Sequence, residues 1–142
     1  MIDASAIEAA LVSKLAGDPA LAGLLPDGVY WDLAKQGATR FVIVSLSTSR
    51  VLTEISDGET LRSFVYVVKA IANVSGGSLL ADADRRIHAL LHHGTLDVSA
   101  AGCSLMVMRY VDRVRITEPD AADVAARWQH RGARYEITVT PT

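Results

Sequence analysis

Apolar and polar residues alternate with two different periods along this chain, which predicts helices in some segments and strands in others. Near the start, apolar side chains recur at helical spacing, which predicts a first helix capped by Asp3 or Ser5 and ended by Gly17. Residues 18–28 predict a short helical turn, and residues 29–31 a short strand. The positions that define the first helix are Ile7, Ala10, Leu11, Lys14 and Leu15.

Alternation with period two predicts a long β-hairpin in the middle of the chain. Residues 40–55 are rich in β-branched side chains, and residues 60–73 alternate between two faces. Between them, Asp57-Gly58 suits the positive φ of a tight hairpin turn. The hairpin tip is too charged to belong to a core, so we expect it to face solvent or a partner. The candidate subunit-contact residues are Arg50, Glu54, Asp57, Glu59 and Arg62.

The second half of the chain predicts one more helix and two more strands. Residues 78–94 have helical periodicity, with Ser78 as the expected cap and Gly94 as the expected C′ glycine. Strands are expected over 103–117 and 127–140, joined by a loop or short helical turn. The order of elements predicts an α+β fold, a mostly antiparallel sheet with a long hairpin, on which the N-terminal helix and the central helix pack. The apolar stripe of the central helix comprises Leu80, Ala83, Ile87, Leu90 and Leu91.

Composition and charge narrow the class of protein. A length of 142 residues suits a single domain over 1–142, and half of the residues are apolar. The formal charge of −2 argues against a dedicated nucleic-acid binder, because such domains are usually strongly basic. Cys103 is the one cysteine, which excludes an internal disulfide and favours a reducing compartment. The N-terminus does not have the pattern of a signal peptide, and we expect a soluble protein made inside the cell.

Three histidines lie close together at the end of the central helix, and two interpretations compete. His88 and His92 are four residues apart, with Asp84 four before them, so the three side chains share a helix face and could bind a metal ion as part of an enzyme. A zinc protease would need glutamate after the first histidine, where this chain has Ala89. Histidines in a last helical turn also complement the negative end of the helix dipole. We favour the helix-end interpretation and predict no catalytic residue, metal or cofactor.

Arginine is concentrated in the last two strands. Interleaved acidic residues favour cross-strand ion pairs on a solvated face, whereas the planar guanidinium also suits a charged surface between subunits. Cys103 opens an apolar strand without a basic neighbour, so we expect a buried thiol and not a nucleophile. The arginines concerned are Arg109, Arg113, Arg115, Arg127, Arg131 and Arg134.

The order of these segments resembles the tail completion family of tailed bacteriophages, which includes tail terminators, head–tail joining proteins and their equivalents in gene transfer agents. The likeness covers nearly the whole chain. It begins with the short Ala/Leu-rich turn and first strand, "DPALAGLLPDGVYWD", and continues with the hairpin strands, "RFVIVSLS" and "SDGETLRSFVYVVKA". It then includes the central helix ending in "LLHHG" and the closing strand pair, "MRYVDRVRITEPDAADVAARWQHRGARYEITV".

This resemblance implies a structural role without enzymatic activity. Members of the family form a homomeric ring, typically a hexamer, at the head-proximal end of the tail tube. The ring terminates tail polymerisation and joins the tail to the head. The implied partners are other copies of the chain, the major tail tube protein and the head–tail connector protein, with DNA passing through the lumen. The implied location is the virion tail, after assembly in the host cytoplasm and away from membranes.

Three alternatives remain open at this point. The chain could act on the connector side of the same particle, as a head-completion adaptor. It could be a metal-dependent enzyme that uses Asp84, His88 and His92. It could also be a small ligand-binding α+β domain unrelated to phage.

Overall fold

The computed structural model describes residues 2–55, 58–119 and 127–142, and the side chains outside 53–60 and 117–127. The predicted α+β class is confirmed, with an N-terminal helix and a central helix packed on a mostly antiparallel sheet. In chain order, the elements are α1 (Ala4–Ala16), α2 (Pro19–Leu24), β1 (Val29–Trp31), β2 (Arg40–Ile55), β3 (Gly58–Val74), α3 (Ser78–Leu91), a 3₁₀ turn (Ser99–Ala101), β4 (Cys103–Pro119) and β5 (Arg127–Pro141).

The five strands form one sheet in the order β1-β2-β3-β5-β4. β1 runs parallel to β2, and all the other neighbours are antiparallel. The central pair, β3 and β5, keeps one continuous register from Arg62 opposite Val139 to Val74 opposite Arg127. The outer pairings β2–β3 and β4–β5 both contain register shifts. A regular centre is therefore flanked by strands that bulges allow to bend.

The helices cover one face of the sheet, and the alternation of β3 and β5 determines which face that is. Tyr66 and Tyr135 lie opposite each other and are almost completely buried beneath the helices. Burying one large apolar side chain contributes about 1.5–3 kcal/mol, so this face provides most of the stability. The helical residues that reach it are Ile7, Leu11 and Leu15 of α1, Leu21 of α2, and Leu80, Ala83, Ile87 and Leu91 of α3. Across the described ranges, each helix is too short or too polar to cross a membrane.

The ends of the long helices agree only partly with the sequence prediction. Asp3 caps α1 by accepting the Ser5 N–H at 3.0 Å. The prediction of a Ser78 cap on α3 is wrong: Gly77 occupies the cap position, and no side chain caps this end. At the other end of α3, the left-handed residue is His93, with φ of 55°, and not Gly94. Gly94 is needed for space, because a Cβ there would lie 2.1 Å from the Leu90 carbonyl oxygen.

An ion pair between a buried carboxylate and a partly exposed arginine connects α2 to α3. The Asp18 carboxylate caps α2 by accepting the Leu21 N–H at 2.9 Å. The same carboxylate accepts two hydrogen bonds from Arg86, at 2.9 Å from Nε and 2.5 Å from Nη2. Hydrogen bonding to Arg86 lowers the pKa of Asp18 below its usual value. A single carboxylate thus fixes the start of α2 against the middle of α3.

A substitution at Gly132 tests how closely the backbones of the central strands β3 and β5 must approach each other. A Cβ at this position of β5 would lie 2.0 Å from the Val68 carbonyl oxygen and 2.7 Å from Lys69 Cα. We expect Gly132→Ala to lower the free energy of unfolding by about 1–3 kcal/mol in urea denaturation, because backbone atoms cannot move aside cheaply. Gly23→Ala is the matched control, since nothing lies within 4 Å and alanine favours the α2 helix by about 0.5–1 kcal/mol. Equal effects of both substitutions would contradict this account.

Candidate assembly surfaces

The β2–β3 hairpin extends beyond the part of the sheet that the helices cover. β1 pairs with β2 only over residues 42–44, and residues 46–52 of β2 are all exposed. The ladder continues to its last pair, Ile55 opposite Gly58, which confirms the predicted hairpin. The predicted Asp57-Gly58 turn lies partly outside the described residues, because Asp57 is not among them.

Only two of the five predicted contact side chains are described, and they point to opposite faces. Arg62 stacks over the Phe64 ring at 5.1 Å, on the side that the helices cover. Arg50 lies opposite Ser63, on the uncovered face, which we call the open face. The side chains of Glu54 and Glu59, whose backbones face each other in the ladder, lie outside the described part, as does Asp57. Their role as a contact patch stays a prediction.

A buried carboxylate organises the open face next to Arg50. Glu136 of β5 is only 9% exposed, although its strand position faces away from the helices. It accepts a 2.7 Å hydrogen bond from Ser63 Oγ and bonds of 3.0 and 2.8 Å from Arg109 Nε and Nη2. The Ser63 hydroxyl lowers the pKa of Glu136, and the positive charges of Arg109 and Arg50 lower it further. The carboxylate therefore connects β3, β5 and β4 on the open face.

The arginines of the last two strands divide between the two expected roles. Arg109 and Arg134 form cross-strand pairs with Glu136 and Asp112, as the solvated-face interpretation predicts. Arg113 instead approaches Asp84 of α3, at 3.8 Å. Arg131 forms no ion pair with any residue in the described ranges. The charge of Arg131 is therefore available for contact with another molecule.

The three histidines hold the end of α3 against the edge strand β4. His92 Nδ1 accepts the Tyr110 N–H at 3.0 Å, and the His93 N–H donates to the Met108 carbonyl at 2.7 Å. The rings of His88 and His92 stack with centroids 4.8 Å apart. These two backbone groups of β4 face away from β5, so the helix end covers part of a free sheet edge.

This geometry opposes the metal-site interpretation. His92 Nδ1 is occupied by a backbone donor, and Asp84 faces Arg113. Within 2–55, 58–119 and 127–142, no group of three or more His, Cys, Asp or Glu is placed to hold a metal ion. Cys103 is buried, as expected, and burial raises the pKa of its thiol. A raised pKa makes this thiol a poor nucleophile.

A cleft of about 510 Å³ lies between α3 and the β4–β5 pair. We call it the basic cleft, because its three arginines and one histidine outnumber its acidic groups. The hydroxyl of Tyr135 is buried at its floor and has no hydrogen-bond partner in the described part of the chain. Burial, together with the nearby charge of Asp84, raises the pKa of Tyr135. The charged or polar lining residues are Asp84, Arg85, His88, Tyr110, Arg113 and Arg131.

The opposite edge of the sheet is acidic, and sequence reasoning missed it. Partial burial raises the pKa of Glu8 on α1, and the nearby charges of Asp32 and Asp3 raise it further. Neither Glu8 nor Asp32 forms an ion pair with any described residue. Trp31 and Leu33 flank Asp32 and are 45% and 83% exposed. We call Glu8, Trp31, Asp32 and Leu33 the acidic edge. No sequence pattern indicates it, because Glu8 and Asp32 meet only in the tertiary structure.

The open face also carries a smaller apolar cluster beside β1. Phe41, Ile43 and Ile71 form it, and the rings of Tyr30 and Trp128 pack against it. A groove of about 360 Å³ runs along this cluster. The sheet therefore has apolar surface on both faces, although the helices cover only one of them.

The same arrangement of elements occurs in solved structures of other proteins. Superposition on a chain from the virion of a native gene transfer agent particle covers 96% of both chains, with a TM-score of 0.69 and 19% identity. The two chains share a fold. A second solved structure matches 100% of this chain and 97% of its own, with a TM-score of 0.57 and 12% identity. No family model and no curated protein matches the sequence.

The Glu136 network predicts a pH-dependent contribution to stability. Glu136→Gln should lower the free energy of unfolding by about 1–3 kcal/mol at pH 7, because Arg109 loses its charged partner. The pKa of Glu136 in the folded protein lies below its usual 4.5. The extra stability of the wild type over Glu136→Gln should therefore be complete above pH 4.5 and disappear as the pH falls through the folded pKa. Urea denaturation of both proteins across pH 3–7 measures this. Asp112→Asn, in a more exposed pair, should have a smaller effect; a pH-independent Glu136→Gln difference would refute the assignment.

The lowered pKa of His92 predicts a second pH dependence of stability, separate from that of Glu136. Partial burial lowers its folded pKa below the usual 6.5, and His93 and His88 add to this effect. The unfolded chain therefore binds the proton more readily, and stability should fall as pH drops below about 6.5. An NMR titration of His92 should give a midpoint below 6.5. His92→Asn should keep an acceptor for the Tyr110 N–H and remove this dependence, whereas His92→Ala should destabilise the fold at every pH; a midpoint at or above 6.5 would contradict the prediction.

Proposed function

We propose that this chain is a structural virion protein of a tailed phage or gene transfer agent. In this proposal, copies of it form a ring at the head-proximal end of the tail tube, which ends tube polymerisation and joins the tail to the head. The observation that carries the proposal is the shared fold with a gene transfer agent virion chain over 96% of both chains. At 19% identity, that likeness extends to the fold, and the role itself is the inference.

Two surface features support an assembly role. The hairpin presents residues 46–52 exposed along one strand, beyond the short β1 pairing. Such a strand can pair with a neighbour's backbone by β-augmentation, with side chains providing specificity. We assign the hairpin tip, from Arg50 to Arg62, to contacts with a neighbouring subunit or the tail tube protein. The second feature is the pair of oppositely charged surfaces at the two sheet edges.

The described chemistry also fits a structural protein better than an enzyme. His92 and Asp84 are engaged with other groups of the fold, and Cys103 is a buried thiol. The net charge of −2 suits a ring through which DNA passes, because a strongly basic lumen would bind the phosphate backbone tightly. We therefore propose no cofactor, and as partners the tail tube protein, the connector protein and other copies of this chain.

The decisive experiment is deletion of the gene from the genome that encodes it, followed by electron microscopy of the particles. We expect tails of uncontrolled length that are not joined to heads, and a plasmid copy of the wild-type gene should restore normal particles. Tails of normal length that fail to join heads would instead indicate the connector-side role. Normal, joined particles from the deletion strain would overturn the proposal.

A further inference from the structure

The two edges of the sheet carry complementary charge. At the β1 edge, Glu8 and Asp32 have no ion-pair partner among the described residues. At the β4 edge, Arg113 has only a 3.8 Å contact with Asp84, and its side chain remains 62% exposed. Arg131 lines the same cleft without an ion pair in the described ranges. The acidic groups without an ion pair at the β1 edge therefore complement the arginines of the basic cleft.

The two surfaces also lie at the same level of the sheet. One row of partners runs straight across the strands, from Trp31 through Val44, Val68 and Ala133 to Arg113. With strands about 4.8 Å apart, the row spans roughly 19 Å. Val44, Val68 and Ala133 all belong to the core beneath the helices, so Trp31 and Arg113 lie on the helix-covered side. Asp32 and Leu33, which follow Trp31, line the groove on the open face.

Apolar groups accompany the charges at both ends. Trp31 and Leu33 flank Asp32 and are unusually exposed for their size. At the β4 edge, Val111 is the extra residue of a bulge between Tyr110 and Asp112, and it is 44% exposed. An exposed aromatic beside a charge, facing an apolar residue beside the opposite charge, is the composition of a protein–protein contact.

We propose that the acidic edge of one subunit docks in the basic cleft of the next, so that a second copy of this chain is the ligand of the cleft. The contact joins two different surfaces, so it is head-to-tail and repeats from copy to copy. Head-to-tail contacts form a closed ring when the rotation between copies permits it. This inference deepens the proposed function, since it names the surfaces through which the ring closes.

Two charge variants test the contact. The first, Glu8→Arg with Asp32→Arg, makes the acidic edge basic. The second, Arg131→Glu with Arg113→Gln, makes the cleft acidic without placing a carboxylate against Asp84. Each variant alone carries the same sign on both surfaces and should not associate with itself. Mixed in equal amounts, the two should associate, because both of the resulting contacts join opposite charges.

Sedimentation velocity and native mass spectrometry measure this association. The wild type should self-associate, more weakly as salt is added, and each variant alone should do so at least about tenfold more weakly. The mixture should recover oligomers in which the two variants alternate. Variants that associate as the wild type does, a mixture that stays monomeric, or a wild type that stays monomeric at about 1 mM would overturn the proposal. At that concentration, a contact with a Kd of about 1 mM would still be about 40% populated.

Two controls separate charge from misfolding. Asp32 has a φ of 56°, where arginine is strained and asparagine is tolerated. Glu8→Gln with Asp32→Asn is therefore a third, neutral variant, and it should weaken self-association while keeping the wild-type melting temperature. Arg40→Glu changes an exposed arginine outside both surfaces and should leave self-association unchanged. An equal loss with Arg40→Glu would overturn the assignment.

The mixing experiment and the gene deletion test separate claims, so either result can be negative without the other. If the deletion phenotype appears but the mixture does not associate, the virion role stands and the ring closes through other surfaces. If the mixture associates but the deletion strain makes normal particles, the contact stands and the virion role falls.

Discussion

The structure depends on the continuous pairing of β3 with β5. These two strands keep one register from Arg62 to Val74 of β3, and Gly132 lets the β5 backbone lie directly against that of β3. Because their side chains alternate in step, Tyr66 and Tyr135 fall on the same face and bury beneath the helices. All three helices pack on that face, and the position of every surface feature follows from it. The opposite face keeps a polar centre, where Glu136 accepts hydrogen bonds from both neighbouring strands.

The outer strands lie at the edges of the sheet, where backbone groups have no neighbouring strand to pair with. A sheet with free edges exposes unpaired backbone groups, which pair with other chains unless something prevents it. Here β4 is covered over part of its length by the end of α3, through His92 and His93, and bulges interrupt both β2 and β4. The histidine cluster thus protects an edge. The same bulges push side chains such as Val111 outward, so each edge becomes a surface of defined shape instead of a generic strand template.

The distribution of charge gives the molecule a polarity that its net charge of −2 conceals. Internal pairs, such as Asp18 with Arg86 and Glu136 with Arg109, account for some of the charges. Within the described ranges, Glu8 and Asp32 at the β1 edge and Arg131 beside the β4 edge form no ion pair. A polar subunit of this kind favours head-to-tail association over a symmetric dimer, because like edges repel and unlike edges attract. That property agrees with the repeating role in a virion that we propose.

The secondary-structure elements, their order and the α+β class could be predicted from the sequence, because hydrophobic period and turn chemistry are local properties. The strand over 40–55, the cap Asp3 and the buried Cys103 were all predictable for this reason. The sequence did not determine the ends of α3, where the cap at Gly77 and the left-handed conformation of His93 depend on neighbouring elements. Nor did it determine the surfaces. The placement of Glu8 and Asp32 at the β1 edge, and of Arg113 and Arg131 beside the β4 edge, exists only once the five strands are paired in register, because these residues lie far apart in the chain.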